Sequence, residues 1–138
     1  MKHIAQAVWN GSVKQGSGKL TTKSKVFDAQ PYSFSSRFEN ANGTNPDELI
    51  AAAHAGCFAM ALSLILGESG FTPNSLDVQA EVTMDPDKLE LTHSHLTLKA
   101  SIPDITEEKF LECANAAKAG CPISKVLNLA ISLDASLV

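Results

Sequence analysis

The stretch Thr44–Gly67, with the sequence TNPDELIAAAHAGCFAMALSLILG, decides how the rest of this chain can fold. Residues 49–66 within it contain no Asp, Glu, Lys or Arg. Asn45 suits the N-cap of a helix, Pro46 suits its first position, and Gly67 is the kind of residue at which a helix stops. The sequence therefore predicts one long apolar helix that begins at Pro46 and ends near Gly67.

Two interpretations of this helix are open. Its apolar segment is about long enough to span a bilayer. However, acidic residues flank it at Asp47, Glu48 and Glu68, and it lacks the basic and aromatic anchors of a membrane span. We favour a core helix that is buried on all sides. Because so small a chain cannot cover such a helix alone, this interpretation predicts a second subunit.

The composition is that of a soluble globular protein. Of the 138 residues, 44% are apolar and 19% are charged, and the net charge of −4 offers no basic surface for nucleic acid. The N-terminal residues do not form an apolar signal segment. An odd, low number of cysteines, three, in a chain without a signal indicates the reducing cytoplasm. We expect one domain over residues 1–138, without nucleic-acid or membrane partners.

The remaining sequence alternates between strand and helix patterns. Thr106 suits the N-cap of a second helix that ends near Gly120, and Cys121 with Pro122 suits the start of a short third helix. The predicted order is βββ-α-ββ-αα-β, an α+β chain with antiparallel sheets around a long central helix. The predicted strands cover Ile4–Trp9, Leu20–Phe27, Tyr32–Phe38, Leu76–Met84, Leu89–Ile102 and Leu129–Leu137.

Three reactive side chains share one face of the long helix. At about 100° per residue, Asp47 and His54 lie about 20° apart, and Cys57 lies about 60° from His54. A carboxylate on a buried face needs a cation, and Arg37 is the chain's one arginine, placed just before this helix. An arginine can bind a carboxylate through two hydrogen bonds, and it favours the thiolate of a nearby cysteine.

Each of these residues also has a purely structural interpretation. Cys57 could be a small core residue, and Arg37 could be an exposed charge at the end of a strand. Cys121 could be an ordinary helix cap or a thiol activated by the helix that it caps. His54 could act as a base for Cys57, or it could support the helix from a buried position, which we favour. Cys113 lies on an apolar helix face and is interpreted as a packing residue.

Two other patterns carry less weight. Residues 16–19, Gly-Ser-Gly-Lys, lack the spacing of a phosphate-binding loop and lead into a strand. His93 and His95 lie on one face of a strand, but no third metal ligand is evident, so they are interpreted as surface histidines. The sequence therefore predicts no metal site.

Five segments, taken together and in order, resemble the family of osmotically inducible protein C and organic hydroperoxide resistance proteins (OsmC/Ohr). The resemblance covers essentially the whole chain and is closer to the OsmC branch. The segments are Trp9-Asn10-Gly11, Arg37-Phe38-Glu39, Thr44–Ile50, Ala52–Phe58 and Gly120–Ser124.

The resemblance implies the OsmC-like fold, an intertwined homodimer with active sites at the subunit interface, and a thiol peroxidase of oxidative and osmotic stress defence. Its substrates would be organic hydroperoxides, which it would reduce to alcohols. Cys57 would be the peroxidatic cysteine, Cys121 the resolving cysteine that forms a disulfide with it, and Arg37 the holder of the Cys57 thiolate. Asp47 stands where the family usually has Glu, one methylene longer. The resemblance implies no cofactor and an external dithiol reductant, for which a lipoyl-type dithiol is a candidate.

Two alternatives come from other functional classes. The chain could be a redox-sensing or ligand-binding module whose disulfide changes its shape or partners without sustained turnover. It could also be an inert dimer in which the three cysteines only pack. Sustained turnover with a dithiol would separate the enzyme from the sensor, and a Cys57–Cys121 disulfide would exclude the inert dimer.

Overall fold

The chain begins with three short strands, β1 (Ala5–Asn10), β2 (Ser17–Thr22) and β3 (Gln30–Tyr32), which pair antiparallel in that order. The computed structural model describes all 138 residues and divides into two units, Met1–Leu49 and Ile50–Val138. The three strands belong to the first unit. In this first unit the rings of Trp9 and Tyr32 lie 5.5 Å apart, centroid to centroid. A Cβ at Gly18 would collide with both rings, so the strand needs a glycine beneath this aromatic pair.

The third predicted strand is wrong over most of its length. Residues 34–38 form a short helix, α1 (Phe34–Phe38), instead of continuing the strand from Tyr32. Ser33 caps this helix by accepting a hydrogen bond from the Ser36 amide at 3.1 Å, while the Ser36 hydroxyl accepts from the Ser33 amide at 3.0 Å. The serine-phenylalanine alternation that suggested a strand also places Phe34 and Phe38 one helical turn apart, with ring centroids 4.7 Å apart. Arg37 therefore lies on a helix.

The long helix α2 (Pro46–Glu68) forms within one residue of the predicted end. Asn45 caps it as predicted, since its side-chain oxygen accepts a hydrogen bond from the Glu48 amide at 2.9 Å. The boundary between the two units falls inside the first two turns of α2. The prediction of a single domain over residues 1–138 stays a prediction.

In the second unit, α2 is followed by β4 (Ser75–Asp85), β5 (Glu90–Ser101), α3 (Glu107–Gly120), α4 (Pro122–Val126) and β6 (Ala130–Leu137). β4 and β5 pair antiparallel. β6 pairs parallel to β5, with Leu96 opposite Leu133, so the expectation that all sheets are antiparallel is wrong for this pair. Because α3 and α4 carry the chain back along the sheet, β6 enters in the same direction as β5.

One face of this second sheet packs against helices. Alternate β5 residues are buried, as a half-buried strand requires, and the helices α2 and α3 supply the facing apolar side chains. The buried apolar cluster is formed by Phe58, Leu62, Leu66, Leu96, Leu98, Ala100, Ile102, Phe110, Cys113, Ala114, Ala117 and Cys121. The α+β class predicted from the sequence is confirmed.

The prediction that α2 is buried on all sides is wrong for the single chain. The buried positions are His54, Phe58, Leu62 and Leu66, which are spaced by four residues and form one stripe. On the opposite side, Met60 is 77% exposed. The chain therefore fully covers only one stripe of its most apolar helix.

Candidate active site

In the first unit, Arg37 and Asp47 form the ion pair that the sequence predicts. The Arg37 Nη2 lies 2.9 Å from Asp47 Oδ1, and Nε lies 3.2 Å from Oδ2, so both carboxylate oxygens are bound. Asp47 lies in the first turn of α2, and its side chain is only 15% exposed. The shorter aspartate side chain therefore reaches the guanidinium, and the pair fixes the plane in which Arg37 lies.

The loop between α1 and α2 is held in place by α1 itself. The Ser36 hydroxyl lies 2.9 Å from the Thr44 carbonyl oxygen, and the Asn45 side-chain amide donates to the Ser36 carbonyl at 3.0 Å. Ser36 is buried, so these bonds are shielded from water. This bracing keeps Arg37 on α1 and Asp47 on α2 in register.

A cleft of about 320 Å³ lies beside Arg37 in the first unit. Aromatic rings form much of its walls. The Arg37 guanidinium carbon lies 5.4 Å from the centroid of the Phe38 ring. The cleft is lined by Trp9, Val13, Tyr32, Ser33, Phe34, Arg37, Phe38 and Pro46. It suits an apolar molecule with one polar group that accepts from a guanidinium.

In the second unit, Cys57 and Cys121 are neighbours, and both are free thiols. Cys57 lies half-buried on α2, while Cys121 is completely buried at the N-cap of α4, as predicted. Burial raises the pKa of the Cys57 thiol, and the adjacent Cys121 thiol raises this pKa further, although a hydrogen bond from the Ile123 backbone lowers it. No positive charge is among the groups that shift this pKa.

His54 is completely buried, and both of its ring nitrogens are occupied. Nδ1 lies 2.7 Å from the Ser94 hydroxyl oxygen on β5, and Nε2 lies 2.8 Å from the Ser124 hydroxyl oxygen on α4. Burial lowers the pKa of His54, which favours the neutral ring. With both nitrogens bound elsewhere, His54 is not placed to act directly as a base on Cys57, in agreement with the favoured interpretation of a supporting role.

The hydrogen-bond chain continues from His54 to Cys121. The Ser124 hydroxyl oxygen lies 3.1 Å from Cys121 Sγ, and the Ser124 amide donates to the same sulfur at 3.3 Å. Sequence reasoning gave no role to Ser94 or Ser124. Ser124 lies three residues after Cys121 in the Gly-Cys-Pro-x-Ser segment. The side chain of an N-cap residue accepts a hydrogen bond from the amide at this position, so the sequence did contain a signal for Ser124. Ser94 carried no such signal.

The other cysteine and the paired histidines are not part of this hydrogen-bond chain. Cys113 is buried on the apolar face of α3, as predicted for a packing residue. His93 Nε2 and His95 Nδ1 each lie 2.6 Å from the Ser132 hydroxyl oxygen, and His95 also contacts Asp134. No group of three or more His, Cys, Asp or Glu side chains is placed to hold a metal ion.

The four predicted site residues thus form two pairs, Arg37 with Asp47 in the first unit and Cys57 with Cys121 in the second. The first pair presents an oriented cation at the mouth of an apolar cleft. The second places two free thiols side by side at the edge of an apolar core.

Comparison with known proteins connects these features to one family. The family model described as OsmC-like protein matches residues 39–136. Over 134 residues the chain is 48% identical to peroxiredoxin OsmC of Escherichia coli (strain K12), an alignment that covers 96% of this chain and 94% of that protein. Over 109 residues it is 31% identical to the organic hydroperoxide resistance protein OhrB of Bacillus subtilis (strain 168), covering 78% of this chain and 79% of that protein. The crystal structure of OhrB of Bacillus subtilis matches with a TM-score of 0.67 and 26% identity, over 96% of this chain and 98% of that one.

Proposed function

This chain belongs to the OsmC-like protein family, and from that premise we propose that it reduces organic hydroperoxides through the thiols of Cys57 and Cys121. The names of its relatives, peroxiredoxin and organic hydroperoxide resistance protein, support a peroxidase activity and a role in stress defence. The mechanism and the residue roles are our proposal. The observation that carries it is the adjacent pair of free thiols, one half-buried and one completely buried.

The proposed reaction follows the oxidation chemistry of cysteine. The Cys57 thiolate attacks the distal oxygen of the hydroperoxide, the O–O bond breaks, and the alkoxide leaves and takes up a proton to give the alcohol. Cys57 is then a sulfenic acid. The Cys121 thiol condenses with it, forming the disulfide and releasing water. An external dithiol, for which a lipoyl-type compound is a candidate, reduces the disulfide by exchange. The cycle needs no metal or organic cofactor.

The first step needs a thiolate, whereas burial raises the pKa of the Cys57 thiol. A nearby cation would oppose this effect. For that cation we propose Arg37, held in orientation by Asp47 through both carboxylate oxygens. The same guanidinium would bind the oxygens of the hydroperoxide, while the aromatic cleft beside it would hold an alkyl or aryl group. We therefore propose bulky organic hydroperoxides, rather than hydrogen peroxide, as the substrates.

We further propose that the active protein is an intertwined homodimer with its active sites at the subunit interface. The support is the uncovered side of α2, where Met60 and Leu64 are exposed among small residues. A Cβ at Gly56 or Gly67 would meet no atom within 4 Å, so these glycines leave room for a second helix. By length and composition Pro46–Glu68 could also cross a membrane. Burial against a second subunit explains its apolarity without a membrane, and we propose a soluble, cytoplasmic protein.

One equivalent of an aryl-substituted alkyl hydroperoxide, such as cumene hydroperoxide, should convert the reduced protein to a Cys57–Cys121 disulfide. Intact-mass analysis under non-reducing conditions should show a protein that has lost two hydrogen atoms. Peptide mapping should then identify the two cysteines that form the disulfide. Cys121→Ser should instead stop at the sulfenic acid and then gain further oxygen atoms at Cys57 with excess hydroperoxide. Cys113→Ser is the matched control and should behave as the unmodified protein.

Repeating the experiment with an excess of both hydroperoxide and dithiol separates the alternatives. Formation of the disulfide without repeated consumption of hydroperoxide in the presence of excess dithiol would favour the redox-sensing module. A protein that keeps all its thiols after one equivalent of hydroperoxide, without dithiol, would contradict the peroxidase mechanism and favour the inert dimer.

Arg37→Ala should shift the pH dependence of Cys57 alkylation toward higher pH. The reason is that loss of the proposed cation leaves burial, which raises the pKa of this thiol, unopposed. The measurement is the rate of iodoacetamide labelling of Cys57, read by peptide mass against pH. Lys25→Ala removes another cation of the first unit, one paired with Asp28 at 3.2 Å, and should leave the profile unchanged. An unchanged profile in Arg37→Ala would remove Arg37 from the site.

A further inference from the structure

A continuous hydrogen-bond chain runs through the core of the second unit and ends on the sulfur of Cys121. It passes from the Ser94 hydroxyl to His54 Nδ1 at 2.7 Å, from Nε2 to the Ser124 hydroxyl at 2.8 Å, and from that hydroxyl to Cys121 Sγ at 3.1 Å. Ser94, His54 and Cys121 are completely buried, and Ser124 is nearly so. Polar groups buried in this way are costly unless each is satisfied, and each member of this chain is.

The direction of the bonds follows from the state of the sulfur. A neutral imidazole has one N–H donor and one acceptor nitrogen. When Cys121 is a thiol, its S–H can donate to Ser124, Ser124 can donate to Nε2, and Nδ1–H can donate to Ser94. When Cys121 is a thiolate, Ser124 donates to the sulfur and accepts from Nε2–H. The chain therefore fits both protonation states without any movement of heavy atoms.

We propose that His54 and Ser94 are positioning residues for the resolving step, in which His54 takes up the proton of the Cys121 thiol through the Ser124 hydroxyl. This inference rests on the proposed function, because it assumes that Cys121 condenses with a Cys57 sulfenic acid. The base thus serves the resolving cysteine and not the peroxidatic one. It acts through a hydroxyl, since no ring nitrogen of His54 is left free for either sulfur.

The proton balance closes over the condensation. The S–H proton of Cys121 passes to Ser124 as the Ser124 proton passes to Nε2, which leaves a thiolate hydrogen-bonded to Ser124. The thiolate attacks the Cys57 sulfur, the S–S bond forms, and the S–OH bond breaks with loss of hydroxide. His54 returns its proton, which completes one molecule of water. Cys57 is reduced and Cys121 is oxidised, so no other reagent is needed.

Few other titratable groups face Cys121. Cys57 on α2 is its neighbour, and Cys113 on α3 belongs to the same buried apolar cluster. His93 and His95 alternate with Ser94 along β5 and therefore lie on its other face. The remaining charged residues of these elements occupy exposed or partly exposed positions. His54 is thus the base within reach of this thiol in the core.

The test measures the two steps of the cycle separately in Ser94→Ala and Ser124→Ala. After rapid mixing with one equivalent of cumene hydroperoxide, quenched samples give the rates of sulfenic acid formation and of disulfide formation by mass. We expect the first rate to be unchanged in both variants. At neutral pH, disulfide formation should slow by roughly tenfold to hundredfold in Ser124→Ala and by a smaller factor in Ser94→Ala. These factors are no larger than the rate enhancements usual for general base catalysis.

The pH profile distinguishes proton transfer from packing. In the unmodified protein, disulfide formation should vary little from neutral to alkaline pH, because His54 is already neutral there. In both variants it should rise with pH and approach the unmodified rate, since solvent hydroxide then removes the proton. Ser94→Ala is the sharper variant because Ser94 touches His54 and not the thiol. Ser132→Ala, which removes a serine between His93 and His95, is the matched control and should change neither rate.

Two results would overturn the inference, and they differ from a failure of the proposed function. Unchanged disulfide rates in both variants would show that the chain plays no part in resolution. If disulfide formation slows by the same factor at every pH, the effect of the substitutions is on packing alone. If the unmodified protein forms no Cys57–Cys121 disulfide at all, the proposed function fails before this inference is reached.

Discussion

Cys57→Ser is expected to reduce peroxidase activity to the uncatalysed background, a loss of roughly a thousandfold or more. A serine hydroxyl does not ionise near neutral pH, and its oxygen cannot form a sulfenic acid or a disulfide. The change removes one sulfur from a half-buried position and should leave the helix intact. The measurement is consumption of cumene hydroperoxide with an excess of dithiol, together with circular dichroism to show that the fold is kept.

Cys113→Ser is the matched control for this loss. Cys113 is also a free thiol in a helix, and it packs in the buried apolar core on α3. We expect full peroxidase activity, with a lower free energy of unfolding of about 1–3 kcal/mol, because a hydroxyl is placed among apolar side chains. Full activity of Cys57→Ser would contradict the cysteine mechanism, and loss of activity in Cys113→Ser without unfolding would give that residue an unexpected role.

Local signals in the sequence predicted the helices well. Asn45, Thr106 and Cys121 each act as the N-cap that their residue type and position indicate. α1 was missed because its five residues are too few to show a helical period, and its serines and phenylalanines alternate like a strand. The parallel pairing of β6 with β5 was missed because strand direction depends on the path of the chain between them.

The site could be predicted from the sequence where a residue has few possible interaction partners or a partner close to it in the chain. Arg37 is the one arginine, so the cation for Asp47 could be named, and the structure joins them. The partners of His54 lie 40 and 70 residues away in the sequence. Serine is a common residue with no strong preference for such a role, and only the packing of α2, β5 and α4 brings these hydroxyls to one ring.

The burial of α2 could be predicted from the sequence only in part. Its composition predicts complete burial, while within one chain only one stripe is covered. Both statements hold together if the uncovered stripe meets a second copy of the chain. Isolated exposed apolar residues are ordinary on protein surfaces, but a continuous helical face is a sign of an interaction surface. This reasoning gives a second prediction with a large effect.

The double substitution Met60→Glu and Leu64→Glu should convert the proposed dimer to a monomer. Two carboxylates on this face would have to be buried in an apolar contact, at a cost of several kcal/mol. Light scattering coupled to size exclusion should give the 14.6 kDa of one chain in place of twice that mass.

The matched control is Leu89→Glu with Val126→Glu, at sites that are 73% and 72% exposed and lie outside α2, and it should stay dimeric. Because the proposed active sites lie at the interface, peroxidase activity should fall with the mass. A double variant that stays dimeric would place the dimer contact elsewhere, and a monomeric unmodified protein would leave the apolar face of α2 without its proposed partner.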